Sequence, residues 1–214
     1  MLVNAQAVLV GAFAAMGFTA GLLLVRLLRP WSVGLSRPAQ VIALATYLGM
    51  LSTLIASRFA GDPALPAWWW LAITGVALSL IDLACHRLPH TWVLAMAGGG
   101  LAVFTTVTAT TEPTGTAMVR SLLAALVVFG TGIVVFLLIP NWMGFGDITT
   151  NAALASYWGW IGWHTVLIGL VSSILLLGIT SALTWIRLRD AAARIAAGPS
   201  LILGSWIGIL LHTS

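Results

Sequence analysis

Charge is what this sequence has least of. Only 7% of its 214 residues are charged, against 60% hydrophobic, and its mean hydropathy is +1.07. Soluble globular chains carry roughly 25% charged residues. So few charges cannot cover a water-facing surface, which excludes an ordinary soluble domain and makes lipid the solvent for most of the chain. Lysine is missing altogether: the nine cations are all arginine. They form no dense basic cluster, and a net charge of +4 spread this way does not point to nucleic acid. Cysteine is represented once, by Cys85, so no internal disulfide is available and the Cys-pair zinc sites have no ligands. Carboxylates number five, which leaves few places for acid–base chemistry.

What is present is a series of apolar runs. Eight spans are read at about 5–28, 39–57, 67–85, 91–110, 118–139, 148–163, 165–186 and 199–212. The predicted fold is therefore all-α, a polytopic transmembrane helix bundle with short loops. RPWSVGLSRP, RFAGDPALP, HRLPH, TEPTGT, PNWMGFGD and RLRDAAARIAAGP separate most of the runs. The sixth run is short for a full crossing and joins the seventh through WGWIGWH, which reads as a tight turn. MLVNAQAVLVGAFAAMG carries no basic segment and reads as a first span, not a cleaved signal peptide. Trp68, Trp69, Trp70, Trp158, Trp160 and Trp163 read as lipid-facing aromatics of interfacial belts. Successive span ends alternate sides. Arg26, Arg29, Arg37, Arg87, Arg187, Arg189 and Arg194 fall on one side, Arg58 and Arg120 on the other. The arginine-rich side should be cytoplasmic. That orientation puts both termini outside and the 86–90 and 140–147 loops on the cytoplasmic face.

Three carboxylates have plain structural readings. Asp62 and Glu112 lie in short outside loops, and Asp190 lies among three arginines, where a solvated ion pair is expected. Asp82 and Asp147 differ, because an ionisable group at membrane depth is costly and marks a functional site by default. Taken singly, each reads equally well as an interfacial carboxylate paired with an arginine, Arg87 in the case of Asp82. Taken together they say more. One outward and one inward span separate them, so the two return to the same face and depth. Two carboxylates held close in a low-dielectric site cannot both ionise easily. One can act as general base on water while the other protonates a leaving amine, which is peptide hydrolysis without a metal, cofactor or covalent intermediate. Gly144 and Gly146 just before Asp147 read as a loop that permits unusual backbone angles and close approach of another chain.

Other arrangements carry less. His86 and His90 are four residues apart, but Pro89 interrupts the helix between them and no glutamate completes a metalloprotease pattern, so no metal site is expected. No GxSxG elbow is present, and Cys85 reads as a packing residue.

The two aspartate segments resemble those of a known family. IDLACHRLPH is similar to the first aspartate motif of the type IV prepilin peptidases, and GFGDITTNAALASYWGW to their second, GxGD, motif. RIAAGPSLILGSWIGILL is similar to the family's closing helix, which opens on a Gly-Pro pair, here Gly198 and Pro199. The resemblance covers residues from about 67 onward and leaves 1–66 as two unmatched spans. It implies a GxGD aspartic endopeptidase of the inner membrane, with its active site facing the cytoplasm. Its substrates would be type IV prepilins or pseudopilins, cut beside a glycine just before their apolar segment. Asp82 and Asp147 would be the catalytic pair, with Gly144, Gly146 and Pro89 shaping the site. Two positions depart from the family pattern: Thr149 stands where a lysine is frequent, and Leu88, Pro89 and His90 stand where Ile-Pro-Asn is frequent. The Cys-rich segment tied to N-methylation in many members is not seen here, so no methyltransferase activity is expected. Two alternatives remain: a cation or proton transporter using the two aspartates, and a non-catalytic membrane protein of pilus or secretion assembly.

Overall fold

In lipid every backbone N–H and C=O must find a partner within the chain, and a helix supplies one for each. A computed structural model describes residues 2–31, 33–111, 115–139, 144–188 and 196–212. Those residues form eight α-helices: α1 (Leu2–Leu28), α2 (Pro38–Arg58), α3 (Leu65–Cys85), α4 (His90–Thr111), α5 (Thr116–Leu138), α6 (Phe145–Ile161), α7 (Trp163–Leu188) and α8 (Gly198–His212). No strand occurs among the described residues. The eight apolar runs of the sequence correspond to these helices within a few residues. Six are long and apolar enough to cross a membrane, whereas α6 has 17 residues and α8 has 15. A full crossing takes about 20, so the expected eight spans resolve into six long helices and two short ones. Glu112, Arg189, Asp190 and Arg194 lie outside the described residues.

Proline and short turns set the boundaries. Pro38 begins α2 and Pro66 lies in the first turn of α3, where a missing N–H costs nothing. Asp62 secures the start of α3: its Oδ1 accepts the Ala64 N–H at 2.8 Å and its Oδ2 accepts Trp68 Nε1–H at 2.8 Å. The carboxylate read as a loop residue is therefore a helix-entry clamp. A single residue, Gly162, separates α6 from α7, as WGWIGWH implied.

The short α6 occupies the middle of the bundle, packed by α4, α5, α7 and α8. Lipid removes the hydrophobic drive between helices, so close packing and hydrogen bonds must hold them together. Both are present. Tyr157 donates its hydroxyl to the Met96 carbonyl at 2.7 Å, and Trp158 Nε1–H donates to Ser205 Oγ at 3.0 Å. A Cβ on Gly159 would press to 2.8 Å from the Arg120 carbonyl, so α5 and α6 meet backbone to backbone there. The lipid-facing reading fails for two tryptophans. Trp68 and Trp158 are core residues, only 1% and 0% exposed, and their indole N–H groups are satisfied by Asp62 and Ser205. Trp163 is exposed as expected.

Arg120 has a second use beyond marking a side of the membrane. Its guanidinium and Nε donate to the carbonyls of Gly159, Trp160 and Ile161 at 2.6–3.1 Å. These are the carbonyls that the end of α6 leaves unpaired, and a cation there also meets the negative end of the helix dipole.

Candidate active site

The C-terminal ends of α1 and α3 and the starts of α4, α6 and α8 gather at one end of the bundle, together with Arg26, Arg29, Arg37 and Arg87. Between them lies a cavity of about 450 Å³. Asp82 and Asp147 both line it, as do Pro89, Gly144 and Gly146. All five residues singled out from the sequence thus border one space.

Asp82 sits in the last turn of α3 and is 4% exposed. The helix ends one turn later at His86, which adopts a left-handed conformation with φ 50° and ψ 45° and donates its N–H to the Asp82 carbonyl at 2.8 Å. Such a cap is the ordinary way to stop a helix, and histidine tolerates it better than most residues. The Asp82 carboxylate does not rely on Arg87 as its fixed partner. Its Oδ2 accepts the backbone N–H of Gly198 at 2.6 Å, across 116 residues of sequence. Arg87 lines the same cavity from the loop.

Gly198 is the residue that the sequence reading noticed but did not place in the site. A Cβ there would lie 3.0 Å from the Asp82 Cβ and 3.2 Å from Leu88 Cδ2. A glycine as the first residue of α8 therefore lets Asp82 reach its N–H without crowding. Pro199, next in α8, needs no N–H in the first turn, so the pair both starts the helix and admits the carboxylate. The visible signal was the Gly-Pro pair itself.

Asp147 differs from the expectation in one respect. It was placed in a glycine-rich loop, but it is the third residue of α6. Its Oδ2 accepts the Gly144 N–H at 3.2 Å, which satisfies a donor ahead of the first turn. A carboxylate in this position also suits the positive end of the α6 dipole. The two glycines do not use unusual backbone angles. Gly144 is extended, at φ −73° and ψ 146°, and Gly146 is helical. Gly146 matters for closeness: a Cβ would stand 3.2 Å from both Cβ and carbonyl oxygen of Leu88. This contact holds the α3–α4 loop against α6, and with it the two aspartate-bearing elements.

Pro89 ends that loop. Its carbonyl accepts the N–H groups of Trp92 and Val93 at 3.0 and 3.2 Å and so opens α4. His90, the first residue of α4, meets Phe145 edge-on at 5.5 Å between ring centroids. Thr149, where a lysine is frequent in the family it resembles, turns its hydroxyl back to the Gly146 carbonyl at 2.9 Å. Trp31 also lines the cavity, from a 3-10 turn (Arg29–Trp31) after α1, and its carbonyl accepts Cys85 Sγ–H at 2.8 Å. Nothing in the sequence pointed to Trp31, which reaches the site only because α1 packs beside α3.

A cavity bordered by two carboxylates, both with glycine neighbours and both at helix ends, can hold a polypeptide backbone and a water between two acid–base groups.

Comparison with known proteins agrees with the motifs. Two curated proteins of Aeromonas salmonicida, one of them from strain A449, are each named prepilin leader peptidase/N-methyltransferase, and each is 31% identical to this chain over 188 residues. The match takes in 84% of this chain, a larger share than residues 67–214 make up. The chain spans 63% of the length of those relatives. No protein-family model and no solved structure matches it. The chain is thus similar to the prepilin peptidases over most of its length, with its three motifs in that family's order.

Proposed function

We propose that this protein is a membrane aspartic endopeptidase that removes the leader from type IV prepilins or pseudopilins. One observation carries the reading. Two carboxylates 65 residues apart in sequence, on different helices, border one cavity at the arginine-rich end of the bundle.

In this mechanism one aspartate of the pair is ionised and the other protonated. The ionised one takes a proton from water as the oxygen attacks the scissile carbonyl. The protonated one gives its proton to the leaving amine. The pair exchanges roles as it resets and titrates as a unit. Gly198 N–H positions Asp82, and Gly144 N–H positions Asp147. The arginine bias supports a cytoplasmic position for this end of the bundle, with the chain in the inner membrane. Residues 67–214 carry both aspartates and the closing helix, and residues 1–66 support them through Trp31.

The test is a cleavage assay in membranes. Wild type, Asp82→Asn and Asp147→Asn are co-expressed with candidate prepilins of the same organism, and pilin mass is followed. Wild type is expected to shorten a prepilin at a glycine junction. Each variant should insert normally and show only background cleavage. Cleavage retained in either variant rejects the pair, and unshortened prepilins with well-inserted wild type favour the transporter or assembly readings.

A further inference from the structure

A second cavity, of about 380 Å³, continues from the site along the membrane-spanning part of the bundle. It shares His90 with the aspartate cavity, and Thr149, two residues after Asp147, lines it near that junction. Its floor is α6, where Thr149, Ala152, Ala153 and Ser156 recur at the spacing of one helix face. Its walls are α4 and α5, which hardly touch one another, so the groove lies open to lipid between them. Leu94 and Leu126 form exposed rims at 70% and 66%. From His90 to Leu101 the α4 wall runs about 16 Å, or three helical turns.

The occupant follows from the surroundings. A polypeptide at membrane depth must be helical, because lipid offers its backbone no partners. A bond undergoing hydrolysis must instead be extended and wet. A substrate that fills both cavities therefore has a helical apolar segment in the groove and unwinds at its mouth, beside His90. Small side chains on the α6 floor allow a helix backbone to approach closely, whereas an acyl chain has no need of a flat, small-residue floor. A larger apolar groove of about 780 Å³, between α2, α3 and α8, shares no lining residue with the aspartate cavity.

Resting on the protease reading above, we propose that the α4–α5–α6 groove seats the apolar helix of the substrate on the membrane side of the scissile bond, and that substrate enters sideways between α4 and α5. The occupant is thus an apolar transmembrane segment carrying the cleavage site at its cytoplasmic end.

Two measurements test this. In the first, Ala125→Leu and Ala152→Leu fill the groove at partly buried positions. Their kinetics are compared on a full prepilin and on a soluble peptide cut a few residues past the junction. The expected result is a tenfold or greater rise in KM on the full prepilin, with kcat and peptide cleavage close to wild type. Equal kinetics on both substrates in every variant overturns the groove. In the second, Ala152→Cys and, separately, Leu203→Cys are placed in a Cys85→Ala background and cross-linked to single cysteines walked along the prepilin segment. Cross-links from Ala152→Cys that repeat every three to four residues support the seat. Cross-links found only from Leu203→Cys move the substrate to the larger groove and overturn it. Cross-links only between copies of this chain, or none, leave the groove to a second copy or to lipid and overturn it too. A wild type that cleaves neither substrate rejects the protease reading itself, an outcome distinct from wild-type and filled-groove proteins cleaving both alike.

Discussion

Gly198 shows how much one missing methyl group can matter. Its N–H reaches the Asp82 carboxylate at 2.6 Å because nothing projects from its Cα toward the Asp82 Cβ. Gly198→Ala is expected to shift the carboxylate by a few tenths of an ångström and cut cleavage by up to about tenfold, since a full misplacement of about 1 Å costs about 100-fold. The variant should insert as wild type does, and cleavage at wild-type rate would mean that Asp82 needs no such hold. Asn151 makes the opposite case. It lies one turn below Asp147, is 4% exposed, and its Oδ1 has no hydrogen-bond partner among the described residues. An unsatisfied buried polar group costs about 1–3 kcal/mol. Asn151→Leu should therefore raise Tm in detergent by a few degrees, and a fall in Tm would show that the amide has a partner in the working protein. Asp82 and Asp147 were legible because carboxylates are so scarce here. Gly198 and Trp31 were harder to find, because a glycine among 22 and a tryptophan among 11 carry no mark of what folds against them.

At the scale of the element, α6 decides most. It carries Asp147 in its first turn, forms the floor of the groove, and sits at the centre of the bundle. Its short length leaves its C-terminal carbonyls inside the protein, where water cannot satisfy them, and Arg120 does so instead. Arg120→Gln removes both the charge and most of the donors. The expected loss is about 2 kcal/mol, the upper range for a cation at a partly buried helix end. For a chain of this size that is a fall of roughly 4–8 °C in Tm, read by thermal melting in detergent. An unchanged Tm would show that the three contacts add nothing. The sequence revealed α6 as short and apolar but placed its start after Asp147. The reason is local: Gly144 and Gly146 read as loop residues, yet an aspartate in the first turn accepts the N–H of Gly144 and starts the helix earlier. Trp158 was misplaced on the lipid face for a related reason, since periodicity cannot tell a buried helix from a lipid-facing one when both are apolar all round.

At the scale of the whole molecule, orientation and the coupled titration of the site become testable. If the arginine-rich end faces the cytoplasm, a membrane-impermeant maleimide applied to intact cells should label Ala60→Cys and spare Ser36→Cys, both in a Cys85→Ala background. Both positions are exposed, in the α2–α3 and α1–α2 connections respectively. The reverse pattern would turn the protein over and place the aspartates outside. Cleavage measured against pH should be bell-shaped, because activity needs one proton shared by the pair and is lost when both are protonated or both ionised. A monotonic profile would argue against a working pair. The sequence alone determined that the protein is a helical membrane bundle, since scarce charge points to lipid as solvent and continuous apolar runs of about 20 residues fit a spanning helix and not the shorter strand of a barrel. It also singled out the two carboxylates at span ends, which border one cavity. The tertiary structure decided what surrounds them: the Gly198 N–H on Asp82, the Leu88–Gly146 contact that draws α3 and α6 together, the Trp31 wall, and the groove leading from His90. Each of these joins residues from separate helices, and such contacts depend on how closely backbones approach, which no local pattern of residues records.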